Sequence, residues 1–188
     1  MSTPIHVSKK LEKLIKKYVT PSIGDENTSI LGKWNATVFY VSRRKNWLLY
    51  NPKTHYCLIL ENITSKDLPH IRERINQDLH LQLTVDGINT TQEQVNWLLD
   101  EISFLPTDGD RSASGHMNQI LYTVECHLDG DFYHSFAQIN TYLNDSIFSL
   151  DGVSKYTNIT KPRKEMEKIL KNYLASGQEK PIDPSQLN

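Results

Sequence analysis

Residues 34–61, WNATVFYVSRRKNWLLYNPKTHYCLILE, predict the core of the fold. They contain three runs of β-branched, aromatic and aliphatic residues, at 37–41, 47–50 and 56–60, and these residue types suit a pleated, packed surface. A short turn separates each run from the next, and the Asn-Pro pair at 51–52 favours the second turn. We therefore expect three consecutive antiparallel strands. The second and third runs are apolar without alternation, so other elements should cover both faces of the sheet.

Helical patterns occupy most of the remaining chain. Apolar residues recur three to four positions apart at 11–18, 68–79, 95–102, 117–128, 136–143 and 166–173, the spacing of helices with one buried face. Ser8 and Pro162 suit the first position of the first and last helix, and Thr90 with Glu93 forms the pattern of a capping box. Residues 102–105 are compatible with either a helix end or a strand.

The order of these elements predicts one α+β domain. An antiparallel β-meander at about residues 35–61 would be covered by several amphipathic helices. With no repeat and no linker pattern in 188 residues, we assign residues 1–176 to this domain. Residues 4–7 suit a short strand, and residues 150–153 should be packed. Residues 177–188 contain few apolar side chains, which predicts a disordered tail.

Composition narrows the classes of function. The net charge of −1 argues against a protein built to coat nucleic acid. The chain has no apolar run of the roughly 20 residues that span a bilayer, and its first residues lack an apolar signal region, so we expect a cytoplasmic protein without a membrane partner. Cys57 and Cys126 lie in predicted core elements and suit buried thiols in a reducing compartment.

No metal site or cofactor is expected from the sequence. The chain has seven histidines, but His116 and His127 would stand about 16 Å apart on a helix, too far to share one ion. His6 and His55 are isolated in the sequence. The glycine-rich phosphate loops of nucleotide-binding proteins are also absent.

The polar loop that begins at Asp108 is the strongest candidate in the sequence for a ligand-binding site. Its spacing imitates a calcium loop, but Ala113 stands where glycine is needed and Gln119 where a bidentate glutamate is needed, so an EF-hand is rejected. Ser112, Gly115 and the amide groups of a helix start could instead bind an anion. A polar helix start without a ligand explains the same residues.

Two basic clusters offer a different partner. One lies on the first predicted helix, with Lys9, Lys13 and Lys16, and the other is the hairpin tip with Arg43 and Arg44. Both could contact the phosphates of a nucleic acid. A solvated helix face and a solvated tip are the simpler interpretation of such charge runs.

Four motifs in one order resemble a known family. They are G-x-W-x-A-x-x-F at 32–39, R-R-K at 43–45, N-x-x-T at 51–54 and R-S-x-x-G-x-M-N at 111–118. Together with I-N-x-x-L-N at 139–144, they are similar to the bacterial domain of unknown function 6933 family. The resemblance implies no particular activity. The positions of this chain that match the polar motifs of the family are Arg43, Arg44, Asn51, Thr54, Arg111, Ser112, Gly115 and Asn118.

The leading functional hypothesis is a non-catalytic protein-binding or accessory module, with a defence or toxin–antitoxin system as its setting. It follows from the missing triad, metal set and phosphate loop beside a well-formed core. One alternative is an enzyme acting on a phosphate-containing substrate, a nuclease or phosphohydrolase. In that case Arg43, Arg44 and Arg111 would hold the phosphate, and Asp108 or Asp110 would act as base or metal ligand. A second alternative is a nucleic-acid-binding protein.

The position of the polar residues separates these hypotheses. If Asp110 and Arg111 converge with Asn51 and Thr54 in one pocket, the enzyme hypothesis gains support. If they face separate surfaces, the binding module is favoured.

Overall fold

The computed structural model describes residues 2–21, 29–129, 134–149 and 159–175. The strands are β1 (Ser2–Val7), β2 (Trp34–Val41), β3 (Arg44–Tyr50), β4 (Cys57–Leu60), β5 (Glu101–Leu105), β6 (Phe148–Ser149) and β7 (Ile159–Thr160). The helices are α1 (Lys9–Ile15), α2 (Ile71–Val85), α3 (Gln92–Leu99), α4 (Arg111–Asp129), α5 (Phe136–Asp145) and α6 (Pro162–Ala175). The class is α+β, as the sequence predicts.

The central sheet is mixed rather than purely antiparallel. Its five strands lie in the order β4-β3-β2-β1-β5, and β2, β3 and β4 form the expected antiparallel meander. However, β1 pairs in parallel with both β2 and β5, so that Ile5 lies between Trp34 and Phe104. The prediction of a meander alone was therefore incomplete. Parallel pairing joins segments distant in the chain, and no turn signal marks it.

Helices pack on both faces of the sheet. On β3, Trp47 and Leu49 point into one core, which α1, α2, α3 and α6 complete. Leu48 and Tyr50 point into a second core, which α4 and α5 complete. This alternation explains why the sequence of β3 is apolar at consecutive positions, since each side of the strand is buried.

The helix starts follow local capping rules, with one shift. The Ser8 hydroxyl accepts a hydrogen bond from the Leu11 amide at 3.3 Å and begins α1, and Pro162 begins α6. The capping box of α3 consists of Thr91 and Gln94, one position after the expected Thr90 and Glu93. Both pairs fit the capping pattern, so sequence alone could not choose between them.

The outer edge of β4 is covered by two asparagines of α5. The Ile59 amide donates to Asn140 Oδ1 at 3.0 Å, and the Cys57 amide donates to Asn144 Oδ1 at 2.9 Å. Asn144 Nδ2 in turn donates to the Cys57 carbonyl at 3.0 Å. Asn140 and Asn144 are one helical turn apart, so both side chains reach the same strand. They replace the hydrogen bonds that a sixth strand would make.

Several local expectations need correction. Cys57 is buried, but Cys126 is exposed on α4, so the expectation of two buried thiols holds for only one. Tyr40, in the first of the three runs expected to suit a packed surface, is 57% exposed. Residues 101–105 form a strand rather than a helix end. The expected packing of 150–153 and the expected disorder of 177–188 concern residues outside those described.

Two findings on the described residues concern membrane-spanning helices and metal sites. None of their helices is long and apolar enough to cross a membrane. Within the same residues, no group of three or more His, Cys, Asp and Glu side chains could hold a metal ion.

Candidate functional site

Asn51 and Thr54 are internal residues of the β3–β4 turn. Asn51 Oδ1 accepts hydrogen bonds from the Lys53 amide at 3.0 Å and from the Thr54 amide at 2.9 Å. Asn51 Nδ2 donates to the Leu31 carbonyl at 2.8 Å, and the Thr54 hydroxyl donates to Asn51 Oδ1 at 3.1 Å. Both side chains are fully buried. Their polar atoms therefore hold the turn together and anchor the chain that precedes β2.

The two carboxylates of the acidic loop before α4 share one lysine. Lys33 Nζ lies 2.6 Å from Asp108 Oδ2 and 2.9 Å from Asp110 Oδ2. Burial opposes ionisation of Asp108, but the hydrogen bonds from Lys33 and from the Asp110 amide, together with the nearby positive charge, outweigh it, so the pKa of Asp108 is lowered. The pKa of Asp110 is lowered by the hydrogen bond from the Ala113 amide and by Lys33. Asp110 thus caps α4, and an anion of the chain itself occupies this helix start.

The other motif residues of α4 form an exposed surface. Arg111, Gly115, Asn118 and Tyr122 recur at helical spacing on one face, and all four are exposed. We call these four residues the α4 outer face. A Cβ built on Gly115 meets no described atom within 4 Å, and Tyr122 is 67% exposed. Ser112 is also exposed, next to this face.

The glycine of this face lowers the stability of the helix. We expect Gly115→Ala to raise the free energy of unfolding by about 0.5–1 kcal/mol, because alanine is the better helix former and has open space here. Urea denaturation measures the change. Gly87→Ala is the control: its Cβ is also unobstructed, but φ is +78°, so the same substitution should lower stability by about 1 kcal/mol. A loss of stability in Gly115→Ala contradicts the prediction.

The basic hairpin lies at the other end of β3 from Asn51. Its two turn residues, Ser42 and Arg43, have positive φ angles of 47° and 66°, a conformation that usually favours Asn or Gly. Arg43, Arg44 and Lys45 line a hollow of about 510 Å³ together with residues 62–65. The strained turn holds three cationic side chains beside this hollow.

The sequence-predicted site residues therefore occupy separate places. Arg43 and Arg44 lie at the hairpin, whereas Asn51 and Thr54 are buried in the opposite turn. The latter turn adjoins the acidic loop, since Asn51 Nδ2 also contacts the Lys33 carbonyl at 3.4 Å. Nevertheless, these groups do not open into one shared pocket, because the Asn51 and Thr54 side chains are enclosed.

A pocket that sequence reasoning missed lies between α4 and α5. Its volume is about 230 Å³, and it is lined by Tyr50, His55, Cys57, His116, Gln119, Ile120, Thr123, Tyr142, Leu143, Ser146, Ile147, Phe148 and Pro162. We call it the histidine pocket. The His55 and His116 ring centroids are 5.0 Å apart, and His55 stacks on Phe148 at 4.0 Å. The Tyr50 hydroxyl lies 3.1 Å from His55 Nδ1.

No sequence signal paired these histidines. Spacing along the helix compares His116 with His127, whereas the fold brings His116 to His55, which follows the β3–β4 turn. His55 has a positive φ of 59°, a conformation that sequence does not reveal for histidine. Such strained, non-glycine residues gather at functional sites, so the backbone angle is the useful signal, and it is visible only in the structure.

Burial controls the protonation of this pocket. It lowers the pKa of His55 to about 4, and the nearby His116 adds to the effect. Burial also raises the pKa of Tyr50. Near neutral pH, His55 is therefore uncharged and the Tyr50 hydroxyl keeps its proton.

The low pKa of His55 should be visible in an NMR titration, with a midpoint near pH 4. In the unfolded chain a histidine titrates at about 6.5, so the unfolded state binds the proton more readily. The stability linked to His55 is therefore complete above about pH 6.5 and is lost as the pH falls towards the folded pKa. His55→Asn, which tolerates positive φ, should reduce this pH dependence. A midpoint near 6.5 in the folded protein contradicts the prediction.

Comparison with protein-family models identifies the family. The model described as "Domain of unknown function (DUF6933)" matches residues 4–165, so this chain belongs to that family. No curated protein matches the chain. The matched residues include the α4 outer face, the basic hairpin and every residue that lines the histidine pocket.

Proposed function

We propose that this protein is a non-catalytic binding module that acts through a protein partner. The observation that supports this proposal is that the polar groups of the protein are separated from one another. Asn51 and Thr54 form a hydrogen bond to each other inside a turn, and Asp110 caps a helix beside Lys33. Catalysis instead requires a nucleophile or base and charge-stabilising donors around one reacting atom. A bacterial, cytoplasmic setting and a role in defence or a toxin–antitoxin system belong to the same proposal, and fractionation of the native host tests the compartment.

The α4 outer face is the proposed contact surface. Tyrosine and arginine carry much of the binding energy at protein interfaces, and here Arg111 and Tyr122 are both exposed. Between them, Gly115 lets another backbone approach closely. A glycine inside a helix costs about 1 kcal/mol relative to alanine, and no described contact of Gly115 offsets that cost.

The charges along α4 specify the chemistry of the partner. Arg111 lies at the first turn, whereas Glu125 and Asp129 are exposed near the last. The partner we infer is a helix of another protein that crosses close to Gly115. It should place an acidic residue opposite Arg111 and a basic residue opposite Asp129, because opposite charges across an interface fix its register.

A capture experiment with matched variants tests this surface. The tagged protein, Gly115→Lys and Gln77→Lys would each be used to recover partners from the native host. Lysine favours helix more than glycine, so Gly115→Lys should fold while blocking close approach. Gln77→Lys adds the same charge at an exposed position of α2. We expect one stoichiometric partner with the wild type and Gln77→Lys, and none with Gly115→Lys.

Two results contradict the proposal. Equal recovery by all three proteins would show that the α4 outer face is not the contact surface. A dimer of this chain, detected by light scattering and abolished by Gly115→Lys, would show that a second copy occupies the face instead of another protein.

A nucleic acid is the second candidate partner. The supporting observation is the hollow beside Arg43, Arg44 and Lys45. Lys9 and Lys13 of α1, and Lys16 just after it, are exposed and form a second basic cluster. Binding of a single-stranded RNA should weaken steeply between about 50 and about 200 mM salt. The double variant Arg43→Ala with Arg44→Ala should bind the RNA more weakly, whereas Arg111→Ala should bind it as tightly as the wild type does. Salt-independent binding, or none at low salt, contradicts this candidate.

The phosphate-directed enzyme remains the less supported alternative. Its anion-binding arginines, Arg43 and Arg111, lie on separate surfaces, and Asp110 is ion-paired. Nuclease and phosphohydrolase assays of the wild type, with Arg111→Ala and Asp110→Ala as controls, test it. Turnover that both variants abolish would replace the binding-module proposal.

A further inference from the structure

The histidine pocket has the size of a single-ring ligand. Its volume of about 230 Å³ is below the roughly 300–1,000 Å³ of pockets for drug-sized molecules. Ile120, Leu143 and Phe148 provide apolar walls, and Tyr50, His55 and His116 provide polar groups. An apolar cavity with a few convergent polar groups is the usual form of a small-molecule site.

The hydrogen-bond partners of the two histidines define what the pocket can recognise. His116 Nδ1 lies 2.9 Å from the Ser112 carbonyl, and a carbonyl only accepts, so Nδ1 carries the hydrogen. In neutral His116, Nε2 is therefore an acceptor.

His55 has the opposite tautomer. We assign the Tyr50 hydroxyl as donor to His55 Nδ1, because it makes no other hydrogen bond to a described residue. His55 Nε2 then carries the hydrogen and is a donor. The lowered pKa of His55 and the raised pKa of Tyr50 are consistent with this arrangement. Both Nδ1 atoms are engaged, neither Nε2 atom has a hydrogen-bond partner among the described residues, and both histidines line the pocket.

We propose that the histidine pocket binds a small planar ring with a cyclic amide edge, of the kind found in a pyrimidine base. The carbonyl of the ligand would accept from His55 Nε2, and its neighbouring N–H would donate to His116 Nε2. The two histidine rings are in edge-to-face contact with centroids 5.0 Å apart, and both line the pocket, so one ligand would lie beside both rings. The apolar walls would contact the faces of the ring. This small-molecule site is additional to the protein-binding function proposed above.

Uracil is the probe, and 1,3-dimethyluracil is its matched control. The two share a ring, but the methyl groups remove both N–H donors. Titration of the ¹⁵N-histidine-labelled full chain at neutral pH should shift the Nε2 resonances of His55 and His116 with uracil, in a saturable manner. Dimethyluracil should bind at least about tenfold more weakly, because the acceptor on His116 is left unpaired.

Variants of the chain test the role of each group. His116→Phe keeps an aromatic ring but removes the acceptor, and it should weaken uracil binding by about tenfold. Gly115→Lys, which changes the α4 outer face, should leave uracil binding unchanged and so distinguishes this site from the protein-binding surface. An unfolding curve of each variant checks that it folds.

Two outcomes with the wild type and one with a variant overturn the proposal. No saturable shift with uracil would exclude a cyclic amide ligand. Equal affinity for uracil and dimethyluracil would show that the pocket accepts apolar rings without reading the amide edge. Unchanged uracil affinity in a folded His116→Phe protein would exclude the hydrogen bond to His116.

Discussion

Asp86→Ala is expected to lower the free energy of unfolding by about 3–5 kcal/mol. The Asp86 carboxylate is buried at the end of α2 and accepts four hydrogen bonds. Tyr56 donates at 2.6 Å, Gln82 and Thr141 at 2.8 Å, and Asn144 at 3.1 Å. These donors belong to three parts of the fold, namely the approach to β4, α2 and α5. Removing the carboxylate leaves several buried donors unpaired, and each costs about 1–3 kcal/mol.

Urea denaturation of three variants tests the contribution of Asp86. Asp86→Asn keeps the shape and one acceptor oxygen, so it should lose less, about 1–2 kcal/mol. Asp78→Ala is the control on the same helix. Asp78 pairs with Arg74 at 2.7 Å near the surface, and such pairs contribute less than about 1 kcal/mol. If Asp86→Ala loses no more than Asp78→Ala, the network around Asp86 does not stabilise the fold.

Asn144→Ala should be nearly as damaging, with a loss of about 2–4 kcal/mol. Asn144 bonds both the amide and the carbonyl of Cys57 and also contacts Asp86. Its loss would leave a buried backbone amide without an acceptor and expose part of the β4 edge. Unpaired strand edges promote association between chains, so the variant should also aggregate more readily.

Hydrogen exchange provides the direct readout at this edge. In Asn144→Ala, the Cys57 amide should exchange faster while the Ile59 amide, held by Asn140, should change less. Asn140→Ala should show the reverse and lose less stability, since among the described residues Asn140 makes one hydrogen bond to β4, at 3.0 Å. Asn118→Ala, at an exposed position of α4, controls for the substitution itself and should change stability by under about 0.5 kcal/mol. Equal exchange of both amides in all variants contradicts the prediction.

Sequence reasoning succeeded where the information is local. The meander could be predicted because β2, β3 and β4 are neighbours in the chain, joined by short turns such as the one at Asn51. The start of α1 could be predicted because Ser8 caps a helix that follows immediately. In both cases the residues that determine the structure are within a few positions of one another.

Prediction from the sequence failed where segments that are distant in the chain meet in the fold. The parallel pairing of β1 with β5 has no turn signal, and the contact of Asn144 with Cys57 joins α5 to an edge strand far away in the chain. The candidate site shows the same limit. Residue type and motif point to Arg43, Arg111 and Asn118, whereas the pairing of His55 with His116 depends on the packing of α4 against the sheet.

The position of β1 has a consequence for synthesis on the ribosome. In the nascent chain, β2, β3 and β4 can pair with one another soon after they emerge, but β1 has β5 as its second neighbour. Until Glu101–Leu105 has been made, one side of β1 has no strand to pair with. Contacts this distant in sequence slow folding, and an open strand edge attracts other chains. We therefore expect the incomplete polypeptide to bind chaperones until β5 pairs with β1.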